Sequence, residues 1–144
     1  MFFRTALDRY VATSIRARIE RCEALPPREA IEAFFGDILR RSLADRDYKG
    51  CLVVNAALEV APHDAEFRKA IASVLRRLEL FFLTCVRRGQ DDGSISPDMP
   101  AASHAKHLLG VLMGVRVLSR VRPEKALLEG IVSIALTTLG RPLA

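Results

Sequence analysis

Apolar residues recur every third or fourth position along this chain and nowhere every second, and that period decides what the chain can fold into. Within residues 2–21, Phe3, Leu7, Val11, Ile15 and Ile19 form an i, i+4 row with Ala6, Tyr10 and Ser14 beside it. Leu25-Pro26-Pro27 stops that helix, and Pro27 suits the first position of the next, where its missing N–H would be unpaired anyway. Residues 27–43 then place Ile31, Phe34, Phe35, Ile38 and Leu39 inward, with Arg28, Glu29, Glu32 and Arg40 outward. Asp64 reads as the N-cap of a long helix carrying Phe67, Ile71, Val74, Leu75, Leu78, Phe81, Phe82 and Cys85 on one face. Arg87 and Arg88 fall in its expected last turn, and Gly89 is its expected stop. Residues 90–100 are loop by composition, 101–121 are helical, and Pro123 opens a last helix that Gly140 and Pro142 end. The expectation is an all-α bundle of about six helices, one domain over residues 1–144.

A chain of 144 residues can bury about two-thirds of its unfolded surface in a single core. The net charge of +5 invites a nucleic-acid reading. The distribution argues against one, because the arginines alternate with acids, as in Arg16, Arg18, Glu20, Arg21 and Glu23, which is the pattern of a solvated face. The three cysteines, Cys22, Cys51 and Cys85, are odd in number and far apart, and they have no metal-ligand spacing, so neither a disulfide framework nor zinc is indicated. No apolar run reaches the roughly 20 residues that span a bilayer. Arg116 and Arg120 break the longest, Leu108 to Val121, and the N-terminus lacks a signal-peptide pattern, so no membrane association and a cytoplasmic location are expected.

Two segments are apolar almost all round: 108–118 (LLGVLMGVRVL) and 126–139 (ALLEGIVSIALTTL). A helix apolar on every side needs cover on every side, which one short chain cannot supply. A second copy is the natural source, so a homodimer is expected, its last two helices forming a four-helix bundle with their counterparts. Gly110, Gly114 and Val117 on one helix and Gly130, Ser133, Ile134 and Thr137 on the other are the candidate interface residues, since small faces let helix axes approach closely.

The segment 50–64 (GCLVVNAALEVAPHD) is nearly all apolar yet carries Asn55 and Glu59 a helical turn apart. Neither sits where a solvated helix face would put it, and a buried amide without a partner costs about 2 kcal/mol or more. Asn55 is therefore either a satisfied structural contact or a polar point inside a ligand cavity. Ligand pockets are mostly apolar with a few polar groups, and the faces so far identified nominate Phe34, Phe35, Ile38, Asn55, Leu58, Glu59, Leu78, Phe82, His107 and Met113. Catalytic chemistry finds no support: there is no GxSxG elbow, phosphate-binding glycine loop, HExxH helix or Cys–His spacing. His104 and His107 are three apart on one helix but lack an acidic or thiol partner nearby, and His107 is the one expected to face inward. No catalytic residue, metal or cofactor is expected.

In order and spacing, GCLVVNAALEVAPHD at 50–64, the helix ending VRRGQDDGSI at 86–95 and HLLGVLMGVRVLSRV at 107–121 resemble the C-terminal regulatory domain of the TetR/AcrR family of transcriptional regulators. The opening MFFRTALDRY resembles the segment that follows the DNA-binding module in that family, so the resemblance runs from about Phe2 to Leu139. It implies a helical domain that binds a small, usually apolar ligand between its central helices and dimerises through its last two. In intact members, ligand binding shifts the arrangement of paired DNA-binding heads. The three-helix, helix-turn-helix segment that opens family members has no counterpart in this reading, so specific operator binding by this chain alone is not expected. The alternative is a protein-interaction module that heterodimerises with an intact regulator.

Overall fold

The computed structural model describes residues 2–45 and 52–140, leaving aside the side chains of residues 2–4, 7, 11, 12 and 52. The described residues form helices joined by short turns: α1 (Phe2–Tyr10), α2 (Arg16–Glu23), α3 (Pro27–Ala44), α4 (Leu52–Glu59), α5 (Ala65–Asp92), α6 (Ala101–Leu118) and α7 (Lys125–Thr137). A π turn over Val11–Ile15 joins α1 to α2 without a break, so the described residues make six helical rods, as the periodicity anticipates. Within that turn the Thr13 hydroxyl donates to the Arg9 carbonyl at 2.8 Å, a back-bond that competes with regular helix pairing. Of the apolar row, Ile15 and Ile19 are buried, while the side chains of Phe3, Leu7 and Val11 lie outside the described ones.

The 28-residue α5 is the axis of the bundle, packing along α6 and against α3 and α4. Its start is set locally, since the Asp64 carboxylate accepts the Phe67 N–H at 3.0 Å. Its end is a correction to the sequence reading. The helix runs through Gly89 to Asp92 and stops at Gly93, whose φ of 84° only glycine adopts easily. Gly89 is glycine for space instead: a Cβ there would lie 2.4 Å from Cδ1 of the fully buried Ile95, which folds back over the helix end. Residues 90–92 are accordingly helix, not loop. Two other boundaries also move: α6 ends at Leu118, and α7 begins at Lys125 after an extended Glu124.

At the centre, α3 and α5 interlock through four phenylalanines. The rings of Phe35 and Phe82 stack at 5.6 Å with a 9° tilt, and Phe34 meets Phe82 edge-on at 5.3 Å. Each such pair adds about 1 kcal/mol to the burial of the rings themselves. The far end of the bundle is tied by Arg28, whose Nη1 donates to the carbonyls of Ser94 at 2.9 Å and Gly140 at 2.6 Å. That clamp joins α3 to the α5–α6 loop and to the end of α7.

Candidate functional site

Where α1, α2, α3, α4, α5 and α6 converge they leave a cavity of about 20 Å³. That is space for little more than one water. Its apolar lining comes from the inward rows of the helices: Phe34 and Ile38, Val53, Leu78, Leu112 and Met113. Tyr10 and Ile15, at the edges of the π turn, line it too. Two arginines complete the wall, Arg18 and Arg116, and both side chains are buried.

The two cations are held differently. Arg18 Nε donates to Asp37 Oδ2 at 2.7 Å, and its guanidinium carbon stands 5.8 Å from the centre of the Phe34 ring. Asp37 also pairs with Arg40, and with Arg41 at 3.1 Å. Burial alone would raise the Asp37 carboxyl, but the Arg18 hydrogen bond and charge, with those of Arg41, outweigh it and hold the pKa below its ordinary value. Among the described residues Arg116 has no such acid. Its Nη1 donates to the buried Ser42 hydroxyl at 2.9 Å, and its buried Nε has no hydrogen-bond partner.

Of the residues nominated from sequence, the cavity brings together Phe34, Ile38, Leu78 and Met113. Phe35 and Phe82 are packed in the adjacent aromatic core. Asn55, Leu58, Glu59 and His107 do not line this cavity. α4 turns Val53, Val54 and Ala56 into the core, and that rotation carries Leu58 and Glu59 out to solvent. Asn55, half-buried, accepts from Arg120 Nη1 at 2.8 Å, and Glu59 stands 3.9 Å from the same nitrogen. The amide is a structural contact, and the Glu59 carboxylate is solvated. On α6 the inward histidine is His104, with His107 exposed. Burial first, then the neighbouring charge of His107, lowers the His104 pKa from its ordinary value. Among the described residues no cluster of His, Cys, Asp and Glu could hold a metal ion.

Tyr10, Ile15, Arg18, Val53, Leu112 and Arg116 were not among the nominated residues. The signal for Arg116 was in view: a lone arginine in the otherwise apolar run 108–118.

A second feature lies on the outside of the last hairpin. Ile134, Val117 and Val121 are exposed at 68%, 40% and 77%. Gly110, Gly114 and Gly130 have no side-chain neighbour within 4 Å of where a Cβ would stand, and Ser133 and Thr137 face solvent. Helical spacing collects these residues into one stripe on each helix. No helix among the described residues is long and apolar enough to cross a membrane.

The described residues form an all-helical bundle with a small, mostly apolar cavity and an exposed final hairpin, and comparison with known proteins names its class. Residues 27–134 match the family described as "Tetracyclin repressor-like, C-terminal domain", and the chain belongs to that family of transcriptional regulators. Over 139 residues it is 25% identical to the uncharacterized HTH-type transcriptional regulator YezE of Bacillus subtilis (strain 168), covering 95% of this chain and 72% of YezE. A solved structure of a cysteine mutant of the TetR family transcriptional regulator CifR, complexed with 26-bp operator DNA, superposes with a TM-score of 0.82 at 29% identity. That match covers 96% of this chain and 73% of CifR. A second CifR–operator complex gives the same TM-score at 28% identity.

Proposed function

We propose that this chain senses a small, largely apolar effector in the cavity between its central helices and dimerises through α6 and α7, as the regulatory domain of a TetR-like transcriptional regulator. The observation that carries the reading is the cavity itself, walled by apolar side chains from α3, α4, α5 and α6 and bounded on one side by the π turn. At about 20 Å³ it has room for little more than one water, so an effector binds by moving the lining. The π turn is the weakest stretch of that lining, because irregular turns of this kind interrupt regular helix pairing. Tyr10 and Ile15 flank it, so filling the cavity displaces the N-terminal rod and shifts the balance between two arrangements of the protein.

The outer stripe supports the dimer. Exposed Val117, Val121 and Ile134 surround three glycines that allow a second pair of helices to approach closely. The chain alone is proposed not to bind operator DNA specifically, since its first described rod is one long helix rather than two short ones at a turn.

The test is direct. The neutral fluorophore N-phenyl-1-naphthylamine brightens on entering an apolar cavity, and saturable binding at about one per protomer is expected. Substituting Leu112→Trp to fill the cavity should abolish it. Binding that survives this substitution unchanged refutes the assigned cavity. For the dimer, light scattering should give twice 16.0 kDa rather than one protomer mass. A monomer that captures a protomer of an intact relative would favour the interaction-module reading.

A further inference from the structure

Arg116 is unusual for what it lacks. It is 8% exposed, lines the cavity, and donates one hydrogen bond, from Nη1 to the Ser42 hydroxyl. Its Nε is buried without a partner, and among the described residues no carboxylate pairs with its guanidinium. A buried cation left unneutralised is strongly unfavourable. Such a group persists where something else meets its charge. The other cavity arginine makes the contrast plain, because Arg18 is neutralised by Asp37 at 2.7 Å, whereas no acid among the described residues pairs with Arg116. No acid lines the cavity among the described residues, so its interior is electropositive and repels cationic effectors.

The free part of the guanidinium is also specific. With Nη1 on Ser42, the side-on edge formed by Nε–H and the adjacent Nη2–H is left over. That edge presents two parallel donors, the match for the two oxygens of one carboxylate. Ile38, Leu112 and Met113 line the same cavity and suit an apolar body attached to that head.

Building on the sensing role assigned to this cavity, we propose that its effector is an amphipathic carboxylate, with the head gripped by Arg116 and the apolar body among Phe34, Ile38, Leu78, Leu112 and Met113. Charge neutralisation by the head and expansion of the cavity by the body would then occur in one binding event.

The experiment displaces N-phenyl-1-naphthylamine from the full chain with octanoate, octan-1-ol and octyl phosphate. Octanoate should compete at roughly one-tenth the concentration of octan-1-ol or less, the fold-change of one charge-assisted hydrogen-bonded contact. Arg116→Met should erase that preference, so that octanoate competes no better than octan-1-ol. Arg116→Lys keeps the charge without the planar fork, so its preference should fall between the two, and it serves if the methionine variant does not fold. Equal competition by octanoate and octan-1-ol would overturn the anion inference while the bound fluorophore upholds the cavity. Stronger competition by octyl phosphate would overturn the carboxylate head. Failure of the fluorophore to bind at all would remove the sensing role and this inference with it.

Discussion

Asp37 is the acid on which three arginines converge, and replacing it with asparagine isolates the strength of the buried member of that group. Arg18 and Asp37 side chains are 6% and 11% exposed and 2.7 Å apart, so Asp37→Asn leaves a guanidinium with no counter-charge in a region water barely reaches. Removing one partner of a buried pair destabilises by about 3–5 kcal/mol. Two features set the value at the low end. The asparagine oxygen still accepts a hydrogen bond, and the Phe34 ring at 5.8 Å retains a cation–π contact of about 1 kcal/mol. Arg40 and Arg41, at 73% and 53% side-chain exposure, form surface pairs that add only a few tenths of a kcal/mol each. The expected loss is therefore about 3 kcal/mol, close to 9 °C in Tm for a domain of this size. Urea titration followed by circular dichroism, at one fixed protomer concentration, measures it. The double variant Arg18→Met with Asp37→Asn should regain most of the loss, because an apolar pair replaces the stranded charge. A loss under about 1 kcal/mol for Asp37→Asn, or no recovery in the double variant, would refute the claim that this pair is buried in the energetic sense.

The same carboxyl predicts a pH dependence: its pKa is held below the ordinary value, so its stabilisation is present above the unfolded value near 3.9 and is lost as pH falls through the folded pKa. Acid titration of wild type and Asp37→Asn should therefore give stabilities that converge toward the lowest pH. Gly89→Ala should destabilise by about 1–2 kcal/mol despite alanine's better helix propensity, because the new methyl would overlap the fully buried Ile95; a higher Tm would refute that. Asp64→Ala, which removes the acceptor for the Phe67 N–H, should cost about 1 kcal/mol in a urea titration. Burial pushes the Cys85 thiol up to about 12, so its alkylation at pH 8, mapped by mass spectrometry, should track global unfolding rather than reagent concentration. Ile134→Glu should halve the mass seen by light scattering without lowering helicity, since that side chain is 68% exposed in the protomer.

The helices were legible because a single physical signal, burial of one face, repeats along each of them. Where two candidates for the same role stand close together, that signal is silent. Gly89 and Gly93 could both end α5, and propensity gives no reason to prefer the second. The decision is tertiary: Ile95 needs the space over Gly89, and its N–H reaches the Gly89 carbonyl at 3.0 Å. The π turn was hidden for the same kind of reason. Its residues, Val11 to Ile15, continue a helical pattern, and nothing in their order marks the extra width.

The site was legible where polar and apolar residues contrast, and obscure where they do not. Along α3 and α5 the charged faces fix which way Phe34, Ile38 and Leu78 must point, and the cavity contains all three. In α4 and α6 the sequence is apolar in nearly every direction, so it carries no record of which side is inward. There a polar residue is as easily an outward one as a buried one, and Glu59 and His107 proved outward. Asn55 and Arg116 share this ambiguity and resolve it in opposite ways. Asn55 meets Arg120 across the α4–α6 contact and is satisfied. Arg116, just over four turns along α6 from its start, is carried inward past Val115 to a place where, among the described residues, Ser42 alone answers it. The residue that most distinguishes this cavity is therefore the one that the apolar run concealed, because its meaning depends on a hydrogen-bond count that exists only after folding.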